Sequence, residues 1–254
     1  MNQTSTTLQR PITADDVAAY RHEGYFLYHA QVFPPAKLAR LTELFEEHVA
    51  TLQAGKRTDE LDTPHFADRR LLDFLLADEV LDLVEPFIGP NIGLWSSHFI
   101  SKEPRVGRAT PWHEDSSYWN GRADTMEGIV TVWLALDRAT EENGCMRVIP
   151  GSHLAGGFSA YEKVDRATNL FGSQIKPEQV DESKAVAFAL ERGECSLHDA
   201  RLMHGAKPNT SDRRRCGYTM RYFSAKMHFY PERNANHKLW LARGTDLGDN
   251  RYEG

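Results

Sequence analysis

Pro111-Trp112-His113-Glu114-Asp115-Ser116-Ser117-Tyr118-Trp119 is the stretch on which the reading of this chain turns. In an extended segment residues two apart face the same side, so His113 and Asp115 can point together at one ion while Trp112 and Glu114 face away. An imidazole and a carboxylate so paired supply two ligands of the two-histidine, one-carboxylate set that binds non-haem ferrous iron and leaves three coordination positions free. Alone, the tripeptide reads equally well as a surface histidine beside an aspartate that caps a turn, because so short a word recurs by chance. The third ligand must come from elsewhere in the chain.

Residues 193–198 read as a short strand, Asp199-Ala200-Arg201 as a turn, and 202–205 as a strand that returns. A returning strand can bring a remote histidine to the first pair, and His198 and His204 are rivals for that place. Arg215 opens the last clear strand and by period-two counting shares a face with Gly217, Thr219, Arg221 and Phe223. An arginine inside a barrel is costly unless a carboxylate meets it, and its planar fork suits a carboxylate in two-point contact. Arg221 could do the same, or pair with an internal acid. With Arg213 and Arg214 beside it, Arg215 also reads as part of a solvated basic cluster.

The wider composition sets the frame. A chain of 254 residues with 41% hydrophobic content can bury one substantial core, so a single domain over 1–254 is expected. A formal net charge of −6, with no basic run longer than Arg213-Arg214-Arg215, gives no footing for nucleic acid or an anionic membrane. No run of apolar residues is long enough to span a bilayer and the first residues do not read as a signal peptide, which predicts a cytoplasmic protein. Cys145, Cys195 and Cys216 are odd in number and have no C-x-x-C spacing, so neither a disulfide framework nor a zinc knuckle is indicated.

Along the chain, 1–11 is expected as a frayed polar tail and 12–90 as a largely helical part that covers a sheet. Thr13 with Asp16 predicts a helix start and Gly24 its stop; residues 25–28 read as a strand. Pro34-Pro35 opens a longer helix whose Leu38, Leu41, Phe45, Val49 and Leu52 recur on one face, ending near Gly55. The acidic stretch 56–68 reads as a loop mobile enough to cover a pocket, and 69–85 as two short helices with Asp78 capping the second. Strands are expected at 92–100, 129–136, 146–149, 185–190, 195–198 and 216–224. Helices first and strands later, without βαβ alternation, favour an α+β or β-barrel fold over a Rossmann sheet.

Three longer words bind these observations together: FISKEPRVGRATPWHEDSSYW (99–119), TVWLALDRATEENGCMRVIPGSH (131–153) and HGAKPNTSDRRR (204–215). In this order they resemble the phytanoyl-CoA dioxygenase (PhyH-like) family of iron(II)- and 2-oxoglutarate-dependent oxygenases, from about Ile12 to Phe223. The resemblance implies a mainly β fold with packed helices, a double-stranded β-helix of the cupin-like jelly-roll kind. It implies iron held by His113, Asp115 and His204, with His204 preferred over His198 because Gly205, Pro208, Asn209 and Asp212 follow it in the family pattern. Arg215, eleven positions after His204, then matches the anchor for 2-oxoglutarate.

The same register implies that Lys102 and Trp133 contact the co-substrate, against the readings of an exposed lysine and a core tryptophan. His153 falls in a loop word rather than a ligand position. Where many relatives carry a small hydroxyl residue two positions after the distal histidine this chain has Ala206, and Thr219 is a substitute donor. Tyr118, Trp119, Phe66 and Arg221 are candidates to line a substrate entrance. The implied chemistry is hydroxylation of a C–H bond in a small metabolite or natural-product intermediate, with iron(II), 2-oxoglutarate and dioxygen consumed or bound. A retained Asp115 argues against halogenation. A cupin-like metalloenzyme that does not use 2-oxoglutarate, or a barrel that binds without catalysis, are the competing classes.

Overall fold

The computed structural model describes residues 8–53 and 55–254. Its first helix, Ala14–Glu23, begins where Thr13 and Asp16 exchange side-chain and backbone hydrogen bonds in a capping box, and it ends at Gly24, which takes the left-handed conformation (φ 85°). The strand Tyr25–Tyr28 follows, then the helix Pro35–Ala50, whose Leu38, Leu41, Leu44 and Phe45 are buried. That helix stops at Ala50, short of Gly55, so Leu52 lies beyond it. Leu72–Leu75 and Asp78–Ile88 complete the helical part; Asp78 is the first residue of its helix and its side chain makes no cap. Of the expected frayed tail, 1–7 lie outside the described residues, whereas Leu8 packs against the core and the Arg10 amide donates to the Tyr28 hydroxyl.

Two antiparallel sheets form the barrel. The larger runs in the order Tyr25–Tyr28, Cys195–Asp199, Ile129–Ala135, Arg215–Ser224, Ile92–Lys102, Trp240–Arg243, with Leu61–Asp62 also paired to Ile92–Lys102. The smaller runs Thr110–His113, His204–Ala206, Met146–Val148, Val186–Ala187. A jelly roll of this kind buries one face of each sheet against the other.

Alternation along two strands decides what each side of the large sheet meets. Val130, Val132 and Leu134, with Tyr218, Met220 and Tyr222, join the helix residues Leu38, Leu41, Phe45, Val80 and Val84 in one apolar cluster. The intervening Trp133 and Ala135 pack instead with Met146 and Val148 of the small sheet. Thr131, Trp133, Arg215, Thr219 and Arg221 therefore share the barrel interior, as the period of two requires. Gly217 is needed in that row because a β-carbon there would overlap the Trp133 ring. Of the segment expected as a strand at 185–190, Val186–Ala187 pairs as a strand with Met146–Val148, while Leu190 makes only an isolated antiparallel bridge to Ala139.

The acidic stretch at 56–68 is anchored rather than loose. It holds short 3-10 turns at Thr58–Glu60 and Pro64–Phe66, and Asp59 is buried in a two-point ion pair with Arg108 (2.7 and 3.1 Å). Arg108 also donates to the carbonyls of Arg166 and Asn169, which ties this stretch to the segment before Phe171. Removing one partner of a buried pair strands the other charge, so Arg108→Met should cost about 3–5 kcal/mol. Denaturant unfolding of the variant beside wild type measures it, and a loss under about 1 kcal/mol would show that the pair is solvated.

Three histidines, His65 and His113 buried and His237 half-buried, add a pH dependence. Burial pushes His65 down to about 3, His113 to about 3 and His237 to about 4, from an ordinary value of 6.5. All three remain neutral when folded and take up protons when unfolded, so their contribution is complete above pH 6.5 and is lost as pH falls towards 3–4. The melting temperature of metal-free protein should fall steadily from pH 7 to pH 4, about; a flat profile would contradict neutral, buried imidazoles.

Candidate functional site

His113 ends the strand Thr110–His113, and Glu114 is still extended (φ −115°, ψ 126°) before Asp115 opens the short helix Asp115–Trp119. The two-residue spacing thus works across a strand end rather than within a strand. His204 opens the neighbouring strand and pairs directly with His113. One ligand atom from each of His113, Asp115 and His204 lies within 4.8 Å of the others, and all three residues are buried.

The imidazoles are oriented for a metal. His113 Nδ1 lies 2.8 Å from the Pro111 carbonyl and His204 Nδ1 lies 2.9 Å from that of Leu202. A carbonyl can only accept, so each Nδ1 carries the proton and each Nε2 keeps its lone pair for the centre of the site. Burial holds His113 neutral. Burial alone would raise the Asp115 pKa, but the Arg221 guanidinium overcomes it and keeps the carboxyl well below the usual range. Arg221 Nε donates to Asp115 Oδ2 at 3.2 Å and the Thr131 hydroxyl to the same oxygen at 3.4 Å, while Oδ1 faces His113 Nε2 at 3.7 Å. One carboxylate oxygen is held by donors and the other is left for an ion. Neutral nitrogen and carboxylate donors of this number and geometry fit ferrous iron with open positions.

Arg215 lies on the same cavity, 2% exposed. Its Nε and Nη2 donate to the Gly144 carbonyl (3.1 and 2.9 Å) and its guanidinium stands 5.3 Å from the Trp133 ring centre. No carboxylate pairs with it among the described residues, and burial lowers its pKa to about 10. Lys102, opposite it in the sheet register, is also 2% exposed, which excludes the reading as a surface lysine. Its ammonium donates to the carbonyls of Ala206 and Lys207, and burial together with Arg215 pulls its pKa well below the ordinary value. Lys102 thus lies behind the cavity lining, and the buried guanidinium of Arg215, on the cavity and without a carboxylate, is the group that can receive an anion there.

The remaining candidates divide. Trp133 and Thr219 line the cavity, but the Thr219 hydroxyl gives its proton to the His98 carbonyl (3.0 Å), so it has no second proton with which to replace a donor at Ala206. Arg221 lines the cavity too and takes the second of its two readings, the internal acid being Asp115. Tyr118 is 44% exposed and its ring lies 5.9 Å from that of His113, at the outer side of the site. Trp119 lies tilted against Trp95 (5.9 Å between ring centres) and under Arg221 rather than lining the cavity. Phe66 is a correction: it packs among His65, His237 and Trp240, outside the cavity lining, because the 3-10 turn at Pro64–Phe66 carries it into that aromatic group. His153 sits against Gly24 with Nε2 on the Arg21 carbonyl, away from the site.

Six lining residues escaped the sequence reading: His98, Ile100, Thr110, Thr131, Met146 and Phe171. Phe171 meets His113 edge-on (4.8 Å) from a segment with no hydrophobic period to read. Thr131 had a signal, a lone hydroxyl at an inward position of an otherwise apolar strand.

The phytanoyl-CoA dioxygenase (PhyH) family model matches residues 20–217. The chain belongs to this family. Within the PhyH family it is 28% identical over 174 residues to a phytanoyl-CoA dioxygenase domain-containing protein 1 homologue of Caenorhabditis elegans, covering 67% of this chain and 60% of that protein. It spans about half to three-fifths of the length of the first curated PhyH relatives it matches. Among solved structures it superposes on the apo form of a non-heme monooxygenase, ThoJ, with a TM-score of 0.76 and 25% identity, covering 94% of this chain and 87% of that one. EvdO2 from Micromonospora carbonacea var. aurantiaca, solved with 2-oxoglutarate, gives 0.71 and 27%, covering 88% and 95%. The jelly roll expected from the sequence is thus the fold of this PhyH member. Among the described residues no helix is long and apolar enough to cross a membrane.

Proposed function

We propose that this protein is an iron(II)- and 2-oxoglutarate-dependent oxygenase that hydroxylates a C–H bond of a small metabolite or natural-product intermediate. The observation that carries the reading is one cavity lined by a converging His113/Asp115/His204 set and by the buried, anion-free guanidinium of Arg215. A metalloenzyme without 2-oxoglutarate would use the first and give no reason to bury the second. Bound iron with 2-oxoglutarate supplies the oxidising chemistry, in which the diacid loses carbon dioxide to become succinate and one oxygen atom of dioxygen enters the substrate.

The chain's own residues bind, orient and exclude water. His113, Asp115 and His204 would hold the metal, Arg215, with Lys102 behind it, would neutralise the far carboxylate of the diacid, and Trp133 would form a wall of its pocket. Tyr118 and Phe171 stand over His113 on the outer side, where a substrate C–H bond can be brought to the metal and bulk water kept off. A screen of candidate metabolites under oxygen, scored by succinate formed above the substrate-free background and by product mass 16 Da above substrate (about one oxygen atom), tests the reading. A product without that oxygen would replace hydroxylation by another outcome of the same site, and absence of 2-oxoglutarate consumption with all candidates and with none would defeat it.

A further inference from the structure

His198 has no use in the account so far, yet it is 1% exposed and lines the cavity. Neither of its ring nitrogens has a hydrogen-bond partner among the described residues. A neutral imidazole carries one donor and one acceptor, and leaving both unmet in the interior is a cost the fold does not recover from packing alone. Its position explains what could meet them. On Cys195–Asp199 it pairs across the sheet with Thr131, which pairs in turn with Arg221, so His198 belongs to the polar row that faces Asp115. Its ring lies 4.7 Å from the His204 ring, and the His204 ring lies 4.0 Å from that of His113.

Half-exposed Tyr118 stands at the other end of this line of rings, beyond His113. His198 and Arg215 line the same cavity, so a molecule anchored on the guanidinium lies in the space that the unpartnered imidazole also faces. Resting on the functional reading above, we infer that His198 is a binding residue for 2-oxoglutarate, donating a ring N–H to the carboxylate that sits at the metal. Arg215 then takes one end of the diacid, and His198 takes the other.

The test uses purified metal-free protein reconstituted anaerobically with Fe(II) and titrated with 2-oxoglutarate, read by the visible charge-transfer absorption of the complex. His198→Phe keeps the ring volume and removes both nitrogens; it should weaken 2-oxoglutarate binding about 10- to 100-fold while Fe(II) affinity measured without 2-oxoglutarate stays within about threefold. His198→Gln keeps a donor at similar reach and should fall between the two; it carries the same comparison if the phenylalanine variant does not fold. The melting temperature of metal-free His198→Phe should equal or exceed that of wild type, since an unmet polar group has been replaced by an apolar one. Unchanged 2-oxoglutarate affinity in both variants would overturn the inference, as would an equal loss of Fe(II) affinity, which would make His198 a support for His204 instead. If wild type itself develops no band with 2-oxoglutarate, the functional reading fails and this inference falls with it.

Discussion

Asp115→Ala is expected to reduce substrate-dependent succinate formation to background and to abolish stoichiometric Fe(II) binding. The carboxylate is the one anionic donor of the converging set, and two neutral imidazoles alone offer a dication no charge in a site from which water is largely excluded. The effect extends beyond the metal. Arg221 is held by Asp115 Oδ2, and without that oxygen its guanidinium keeps long contacts to the hydroxyls of Ser96 (3.5 Å) and Thr219 (3.3 Å) and the face of Trp119, none of them an anion. A buried pair broken from one side costs about 3–5 kcal/mol, and the solvent still reaching Arg221 places this variant at or below the lower end of that range. Asp115→Asn separates the two consequences: it retains an oxygen facing Arg221 and should restore part of the stability, yet its neutral amide should restore little of the metal affinity. Metal analysis after reconstitution and thermal melting of the metal-free variants measure both. Turnover in Asp115→Ala at more than a few per cent of wild type, in order of magnitude, would remove this carboxylate from the ligand set.

What the sequence carried and what it withheld follow from how local each signal is. The capping box at Thr13 and Asp16, the glycine stop at Gly24, and the alternation through 129–135 and 215–224 involve neighbours in the chain, and the structure has them in place. His113 and Asp115 were legible because two residues of extended chain suffice to aim both. Pairing across long separations was not. Arg221 reaches Asp115 over 106 positions and Arg108 reaches Asp59 over 49. Nothing local distinguishes those arginines from solvated ones. Lys102 shows the same gap: its burial comes from pairing opposite Arg215 and from the carbonyls of Ala206 and Lys207 at the end of the strand His204–Ala206, which are brought there by the barrel. Phe66 was illegible for the converse reason, since the polar stretch around it gives no local sign of where an aromatic will pack, and its place among His65, His237 and Trp240 is set by distant parts of the chain.

The two inward arginines six positions apart should respond oppositely to the same substitution. Arg215→Met removes a buried cation that has carbonyls but no carboxylate for company, so metal-free stability should change by no more than about 1 kcal/mol, the relief of a desolvated charge offsetting the lost bonds to Gly144. Affinity for 2-oxoglutarate should fall by about 100-fold or more, because two charge-assisted bonds to one carboxylate are lost together. Fe(II) binding in the absence of 2-oxoglutarate should be untouched, since Arg215 contacts none of the three ligands. Arg221→Met strands Asp115 and should lower metal-free stability by more than Arg215→Met does. The direct load on 2-oxoglutarate should be smaller, because that guanidinium is already committed to Asp115. Titration of the charge-transfer band in both variants, with melting curves of the metal-free proteins, decides the assignment. If Arg221→Met carries the 100-fold loss and Arg215→Met does not, in order of magnitude, the diacid lies along the cavity in the reverse direction and Arg221 is its anchor.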